Sequence, residues 1–196
     1  VNSWDIFISN ILQNYSFRYI LTWVDGIFIP SSNLPTHFPE HEIGLVKKSE
    51  VAVYQKIAEN NYFEGGRFYL DKNFDPYKVK KMYSALILNS FRNNDIMLSY
   101  RIGGEPVGLF VCKKIQEIGY QNRIKIAPLR FLVIRKDIRK KNIGKSLFSG
   151  TINYLKSKCD VITTGFEVHN LQSMNLHSKL NFKFNNTHNV FHCWVR

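Results

Sequence analysis

Five cationic side chains are concentrated in one short segment of the sequence, Arg135, Lys136, Arg139, Lys140 and Lys141. An apolar stretch precedes this segment, and a helix is predicted to begin just after it, near residues 142–144. Backbone N–H groups and the positive end of the helix dipole at such a helix start favour a bound phosphate. Residues 130–148 therefore predict a strand, a phosphate-binding loop and a helix. A basic loop that only caps an ordinary helix would have the same composition.

A second segment, residues 62–71, combines aromatic rings with charged groups. Aromatic rings stack on flat or sugar surfaces, and an arginine guanidinium binds phosphate through paired hydrogen bonds. These residue types suit contact with a substrate, and we predict the substrate-binding residues Phe63, Glu64, Arg67 and Tyr69. Ordinary packing of the loop is the alternative interpretation.

The composition indicates a soluble globular protein with a basic surface. Lys and Arg number 27 against 15 Asp and Glu, which gives a net charge of +12, and 44% of the 196 residues are hydrophobic. This charge points to anionic partners such as nucleotides or phosphates, although a solvated lysine-rich surface explains part of it. No stretch approaches the roughly 18 apolar residues that a membrane span needs, so we predict no membrane-spanning segment. Because the numbering starts at Val1, a preceding leader segment is left open.

The cysteines and histidines give no metal or disulfide signature. Cys112, Cys159 and Cys193 are odd in number and lack Cys-x-x-Cys spacing, which predicts reduced thiols in a cytoplasmic protein. His37 and His41 have no cysteine or acidic cluster at ligand spacing beside them, so we predict no bound metal.

The elements that must position these residues follow from apolar periodicity and turn signals. Helices are predicted over residues 5–14, 49–60, 76–91, 142–158 and 171–179. Strands are predicted over residues 42–47, 96–101, 107–112, 124–134, 161–168, 182–184 and 190–195, and residues 17–29 form a strand or a hairpin that turns at Asp25-Gly26. The proline-containing segment 31–40 divides a small N-terminal lobe and linker, residues 1–40, from a main domain, residues 41–196. The predicted fold class is mixed α/β (α+β), with a largely antiparallel central sheet flanked by helices.

Two motifs in this order resemble those of the GNAT superfamily of acyl-CoA-dependent N-acetyltransferases. The first is Arg139-Lys140-Lys141-Asn142-Ile143-Gly144, in which Asn142 replaces the first glycine of the family pattern. Asparagine tolerates positive φ better than most residues, so the turn could survive. The second is Asn170-x-x-Ser173 with Leu176-His177 and Leu180-Asn181-Phe182. The resemblance implies a GNAT-like fold, acetyl-CoA as cosubstrate and the cofactor-binding residues Leu132, Val133, Ile134, Arg139, Lys140, Lys141, Asn142, Ile143, Gly144, Lys145, Asn170 and Ser173.

Acetyl transfer also needs an acid, a base and an oxyanion donor, and the sequence offers candidates for each. The family commonly places a tyrosine acid where His177 stands, so His177 is the predicted donor of a proton to the leaving thiolate, because an imidazole exchanges protons near neutral pH. Packing of His177 on its helix is the alternative. Glu167, at a strand end, is the predicted base for the acceptor ammonium, with Glu64 and Asp71 as rivals. A main-chain N–H near Leu132 or Val133 is the predicted oxyanion donor.

Other segments, among them Arg67-Phe68-Tyr69 and the terminal Trp194-Val195-Arg196, resemble those of TDP-fucosamine acetyltransferase and related nucleotide-sugar N-acetyltransferases. They predict direct acetyl transfer, in a ternary complex, to the amine of a TDP-linked amino sugar. The alternatives are a protein, polyamine or antibiotic amine as acceptor, or a non-catalytic acyl-CoA or nucleic-acid binding module. No motif reads nucleic acid, so we expect no nucleic-acid partner. A homodimer is left open.

Overall fold

The structure is a computed structural model that describes residues 1–30, 43–61, 63, 65–120, 123–139 and 142–195. The helices are α1 (Ile6–Asn14), α2 (Val51–Glu59), α3 (Arg67–Leu70), α4 (Pro76–Arg92), α5 (Ile143–Leu155) and α6 (Leu171–Lys179). The strands are β1 (Arg18–Phe28), β2 (Ile43–Leu45), β3 (Ile96–Ile102), β4 (Glu105–Cys112), β5 (Gln116–Ile118), β6 (Ile124–Ile134), β7 (Val161–Glu167) and β8 (Lys183–His192). Short 3-10 turns lie at Lys48–Glu50 and Lys136–Ile138.

The described strands form one sheet in the order β2-β3-β4-β6-β7-β1-β8, and β5 pairs with β6 beside this path. Neighbouring strands are antiparallel throughout the described sheet except for β6 and β7, which are parallel. The predicted mixed, largely antiparallel sheet with flanking helices is confirmed. The single parallel pair lies at the centre of the sheet, where a crossover through α5 connects the two strands.

Strand β1 lies inside this sheet and pairs with β7 on one edge and β8 on the other. The predicted alternative of a hairpin turning at Asp25-Gly26 is wrong, because the chain continues straight to Phe28. A register shift against β8 occurs at that dipeptide instead, and Gly26 is buried with Thr164 close to the position of its missing side chain. The boundary at residue 40 lies outside the described residues, so the division into residues 1–40 and 41–196 stays a prediction.

The last strand differs from the two short strands predicted at residues 182–184 and 190–195. A single strand, β8, runs from Lys183 to His192 through Asn185-Asn186-Thr187. This polar run has the composition of a turn, but its residues are exposed or half-buried on the outermost strand, where polar side chains remain in water. Position at the sheet edge therefore overrides local turn propensity.

Helix α2 begins at Val51, after a 3-10 turn, rather than at residue 49 as predicted. The Glu50 carboxylate accepts a hydrogen bond from the Lys47 N–H at 2.8 Å and pairs with the Arg101 guanidinium at 2.7 Å. Arg101 also donates to the Leu45 carbonyl at 3.2 Å. This buried ion pair joins the start of α2 to β2 and β3.

Two hydrophobic clusters cover the two faces of the sheet. One contains Leu147, Ile152 and Leu155 of α5, and residues of β6 packed against it include Leu132 and Ile134. The other contains residues of α2 and α4 and the β6 residue Val133. Side chains along β6 thus alternate between the two clusters, which fixes the rotation of this strand beside the cavity described below.

Candidate active site

Strands β6 and β7 separate soon after they meet. They pair only from Ile126↔Val161 to Pro128↔Thr163. Beyond these pairs β6 continues to Ile134 and β7 to Glu167, with no further described pairing between them. A cavity of about 990 Å³ occupies the resulting gap, and both strands, the start of α5 and one side of α6 line it. The parallel pair therefore opens into a cleft through the sheet.

The edge of β6 that faces the gap carries backbone hydrogen-bonding groups. The Arg135 N–H donates to the Val107 carbonyl of β4 at 2.9 Å. Because such groups alternate between the two edges of an antiparallel strand, Val133 faces β4, whereas Leu132 and Ile134 face the gap. Leu132 and Ile134 thus suit the predicted pairing with a pantetheine arm. Val133 does not, since its backbone is used by β4 and its side chain is buried.

The start of α5 forms the second wall of the cleft. Asn142 adopts the left-handed conformation, with φ 57° and ψ 7°, which is the conformation that favours glycine at this turn. The predicted tolerance of asparagine there is confirmed. Ile143 and Gly144 line the cavity, and the N–H groups of a first helical turn have no acceptor within the helix. This helix start can hold an anion.

Arg139 lies at the same wall but is held by the protein itself. Its guanidinium donates to the side-chain oxygen of Asn61 and, at 3.4 Å, to the Ile134 carbonyl. It lines the cavity, so its positive charge still faces a bound anion. The predicted partners Lys140 and Lys141 lie outside the described residues, and Lys145 is exposed on the first turn of α5.

His177 lines the cavity but is only 3% exposed. Its Nδ1 lies 2.7 Å from the Ser173 carbonyl, which can only accept, so Nδ1 carries the proton. Its Nε2 lies 3.1 Å from the Thr164 hydroxyl, and in this tautomer Nε2 accepts. The rings of Phe166, Phe148 and Phe182 surround the imidazole, with centroids 4.5, 4.7 and 5.0 Å away.

This environment argues against the predicted role of His177 as a direct acid. Burial lowers the pKa of His177, and the Ser173 carbonyl offsets only part of this effect. The ring is therefore mainly neutral near neutral pH, and its one proton is already donated to Ser173. The neighbouring Thr164 also lines the cavity, and its hydroxyl donates to the imidazole.

The second motif forms the cap of α6. The Asn170 side chain accepts a hydrogen bond from the Ser173 N–H at 3.0 Å, which satisfies one N–H of the first turn. The Ser173 hydroxyl lies 3.2 Å from Nδ1 of His177. Both residues line the cavity, and their role in cofactor binding stays a prediction. Their side chains therefore also stabilise the first turn of α6, the helix that contains His177.

An aromatic wall and one carboxylate lie at another part of the cavity, which is lined by Phe63, Phe131 and Glu167. The Phe63 ring centroid lies 4.3 Å from that of Tyr83 and 5.3 Å from that of Phe131. Burial, the Glu167 carboxylate and Tyr69 together raise the pKa of Tyr83 to about 12. Tyr83 therefore stays a neutral phenol near the predicted base.

The other predicted acceptor-side residues are placed differently. Tyr69 is part of α3 and stacks on Tyr83, and it does not line the cavity. Arg67 is exposed, with its guanidinium 4.8 Å from the Phe68 ring centroid. Asp71 is wrong as a rival base, because it is buried, accepts hydrogen bonds from His192 and Trp194, and lies away from the cavity. Glu64 lies outside the described residues.

Thr164, Gly165 and His169 are among the residues that line the cavity and that sequence reasoning missed. The His169 Nε2–H donates to the Gly65 carbonyl at 3.0 Å and joins the loop before α6 to the loop before α3. A side chain at Gly65 would lie 2.7 Å from this imidazole, and its φ of +84° also favours glycine. The adjacent glycines of the aromatic segment were the one sequence signal for this close contact.

Within the described residues, no group of three or more His, Cys, Asp or Glu side chains could hold a metal ion. The cysteines are free thiols, with Cys112 and Cys159 buried and Cys193 exposed. His37 and His41, where the sequence predicts no metal, lie outside the described residues. In the described part of the chain, no helix has the length and apolarity to cross a membrane.

Comparison with known proteins finds chains of similar fold and one matching family model. Similar structures include a GNAT-family acetyltransferase from Novosphingobium aromaticivorans (TM-score 0.59, 13% identity, 88% of this chain and 65% of that chain covered). A GCN5-related N-acetyltransferase from Sphaerobacter thermophilus has a TM-score of 0.64 and 10% identity over 98% of this chain and 57% of its own. An aminoglycoside N-acetyltransferase in complex with CoA has a TM-score of 0.55 and 11% identity over 82% of this chain and 99% of its own.

At these identities the likeness concerns the fold. The chain spans 65% of the length of the Novosphingobium protein and 57% of that of the Sphaerobacter protein. No curated protein shows significant similarity to the sequence. The acetyltransferase (GNAT) family model, however, matches residues 59–182, more than half of the chain, and these residues include β6, the start of α5, β7 and α6. The chain therefore belongs to the GNAT family of acetyltransferases.

Proposed function

We propose that this protein is an acetyl-CoA-dependent N-acetyltransferase that transfers an acetyl group directly to a primary amine in a ternary complex. The separation of the parallel strands β6 and β7 carries this proposal, because it joins an anion-binding helix start and a carboxylate within one cavity. A thioester and an amine can approach each other there from different sides of the sheet. Holding both reactants in one cleft replaces much of the entropy cost of their encounter.

The residues present fit the cosubstrate. The backbone groups of Leu132 and Ile134 face the gap and can pair with the amides of an extended pantetheine arm. The N–H groups of Ile143 and Gly144 suit the diphosphate, with Arg139 adding positive charge. Acetyl-CoA supplies the activated acetyl thioester. The Leu132 N–H is the candidate donor for negative charge on the acetyl oxygen, since Val133 is engaged by β4.

Glu167 is the proposed base. Its carboxylate lines the cavity and is half-buried, so it can take a proton from an ammonium directly or through water. In the net reaction the N–C bond forms and the C–S bond breaks. One ammonium proton ends on the thiol sulfur and another leaves through the base to solvent.

His177 is proposed here as a positioning residue. Its neutral imidazole accepts from the Thr164 hydroxyl at 3.1 Å, and Thr164 lines the cavity. The ring also fills the space between α6 and β7 among three phenylalanine side chains. Loss of the ring would leave the Thr164 hydroxyl without its acceptor and loosen the cavity wall. The leaving sulfur can take its proton from the ammonium itself.

A TDP-linked amino sugar as acceptor stays a prediction. The net charge of +12 and the aromatic wall formed by Phe63, Tyr83 and Phe131 are compatible with it. A polyamine, antibiotic or protein amine is the alternative within the same reaction class. A cytoplasmic location and a homodimer likewise stay predictions.

Release of free thiol from acetyl-CoA, measured with a panel of amines and confirmed by the mass of the acetylated product, tests the proposal. We expect amine-dependent release that Glu167→Gln lowers by about 100-fold, within the range for loss of a general base. Glu117→Gln, an exposed glutamate on β5, is the matched control and should behave as the wild type. Tight acetyl-CoA binding without release for any amine would instead indicate a non-catalytic binding module.

A further inference from the structure

The face of β7 and β1 that Glu167 shares carries a second acidic residue. In the β1–β7 register Trp23 lies opposite Glu167, and Asp25 lies opposite Gly165. Opposite residues of antiparallel strands point to the same face, as do alternate residues along one strand. Trp23, Asp25 and Glu167 therefore share one face of the sheet, and Gly165 and Glu167 of that face line the cavity.

The Trp23 indole lies beside Gly165 on this face, next to the cavity, whose lining includes neither Trp23 nor Asp25. A side chain at Gly165 would come within 2.2 Å of the Trp23 Nε1 and 2.7 Å of its Cε2. Gly165 therefore leaves the space that the indole fills beside the cavity. The indole ring is half-buried, so part of it stays open to a ligand. The face of an indole attracts cations and packs on alkyl chains.

The carboxylates of Asp25 and Glu167 can both still bind a cation. Asp25 lies 3.6 Å from the His188 Nδ1 and accepts from the Asn186 side chain at 3.4 Å, and its side chain remains 36% exposed. Glu167 forms no ion pair with any residue that the structure describes. As diagonal neighbours, the two side chains start about 7–8 Å apart. That separation is close to the length of a short alkyl diamine.

The arginines around this region do not neutralise it. Arg130 lines the cavity and is exposed, and the Arg67 guanidinium lies over Phe68. Neither pairs with Asp25 or Glu167 within the described residues. The acidic face is therefore a local exception in a chain of net charge +12. It disfavours a diphosphate that lies along β1 and favours a cation.

We propose that the acceptor is a dication, a primary amine with a second positive charge a short alkyl chain away. This proposal rests on the proposed function. The amine that reacts lies at Glu167, the alkyl chain crosses the Trp23 indole, and the second ammonium binds Asp25. The step itself is unchanged, because the second ammonium keeps its protons. Trp23 and Asp25 thus set specificity rather than chemistry.

Thiol release with three acceptors tests this assignment: putrescine, the monoamine pentylamine, which has similar length, and a TDP-linked amino sugar. We expect kcat/KM for putrescine to exceed that for pentylamine by about tenfold or more, or about 1.4 kcal/mol. Asp25→Asn should lower this ratio about tenfold, mainly by raising KM for putrescine. Glu117→Gln, far from the cavity on the exposed strand β5, is the control and should keep the ratio.

Several results would overturn the dication assignment. They are preference for the TDP-linked sugar, a putrescine to pentylamine ratio near one, or a ratio that Asp25→Asn leaves unchanged. If no acceptor releases thiol, calorimetry with putrescine decides. Binding that Asp25→Asn weakens supports the assignment, and absence of binding contradicts it. The proposed function fails separately, by absence of acetyl-CoA binding or of transfer to any amine.

Discussion

His177 occupies the position where the GNAT pattern has tyrosine, but its surroundings change what it can do. A tyrosine there would carry a phenolic proton, whereas the imidazole donates its only proton to the Ser173 carbonyl at 2.7 Å. Burial lowers its pKa, so the cationic form that could act as an acid is scarce near neutral pH. The sequence predicts a titratable group at this site. The direction of its two ring nitrogens depends on tertiary contacts with Thr164 and Ser173 that sequence does not contain.

At this residue we expect His177→Phe to lower kcat by about tenfold or less, because the imidazole positions Thr164 rather than giving a proton. Thr164→Val, which removes the hydroxyl at similar volume, should have a similar effect. His177→Gln should restore part of the rate, since its amide oxygen can accept from Thr164. Steady-state kinetics measure all three variants. A loss of about 100-fold to 10,000-fold together with a changed pH profile would restore the acid role.

Asn142 gives a second test at the residue scale, because its φ of 57° is accessible to glycine at no cost and to alanine only with strain. We expect Asn142→Gly to keep stability and acetyl-CoA affinity. Asn142→Ala should lower the free energy of unfolding by about 1 kcal/mol and raise KM for acetyl-CoA, as the start of α5 shifts. Urea unfolding and calorimetric titration with CoA measure the two effects. Equal behaviour of the two variants would show that this turn does not form the anion site.

At the scale of elements, helix caps and turn signals predicted the bounds of helices and strands better than amino-acid composition did. The bounds of β6 and α6 agree with the sequence analysis, since a long apolar run and a capping asparagine define them locally. Gly103 and Gly104 separate the predicted strands 96–101 and 107–112, and both have positive φ in the turn that joins β3 to β4. The placement of β1 between β7 and β8 could not be predicted, because pairing between segments far apart in sequence leaves no local pattern. The acidic face formed with Asp25 was missed for the same reason.

The loop after α3 is joined to β8 and the chain end through Asp71, whose carboxylate lies 2.8 Å from the His192 Nδ1 and 2.9 Å from the Trp194 Nε1. Burial opposes its charge, but hydrogen bonds from His192, Trp194 and the Asn73 N–H lower the pKa of Asp71 to about 2. This anchor holds one side of the aromatic segment in place. The terminal tryptophan of the sequence motif is therefore engaged in a structural contact.

Asp71→Asn should lower the free energy of unfolding near neutral pH by about 2 kcal/mol, because the charged carboxylate is the stabilising form. The unfolded chain binds more protons than the folded one between about pH 4 and about pH 2, so this contribution is present above the unfolded pKa and is lost as the pH falls. The free energy of unfolding of the variant should therefore also fall less than that of the wild type as the pH drops from about 4 to about 2. Denaturant unfolding across this range measures both effects. An equal fall in the variant and the wild type would contradict the role of Asp71.

At the scale of the whole molecule, the charge is unevenly distributed. The chain carries +12 overall, with cations concentrated beside the start of α5, while the β7–β1 face presents two carboxylates. The composition predicts the basic charge and an anionic partner, and the β1–β7 register adds that Asp25 and Glu167 share one face of the sheet. The two substrates would thus approach surfaces of opposite charge.

Salt should weaken the encounter with acetyl-CoA because exposed charges are screened within a Debye length. We expect KM for acetyl-CoA to rise several-fold when ionic strength increases from about 0.05 M to about 0.5 M, with little change in kcat. Initial rates at saturating amine measure this dependence. A parallel set of measurements at one fixed ionic strength is the control. A KM that does not respond to salt would show that the basic loop contributes no long-range attraction.

The structure of the complex with CoA tests the central claim most directly, because it locates the thiol relative to the gap between β6 and β7. The account predicts that the pantetheine arm pairs with the backbone of Leu132 and Ile134, that the diphosphate lies at the N–H groups of Ile143 and Gly144, and that the sulfur lies between Thr164 and Glu167. CoA bound elsewhere, for example in the separate 490 Å³ cavity beside Asn60 and Lys136, would contradict it.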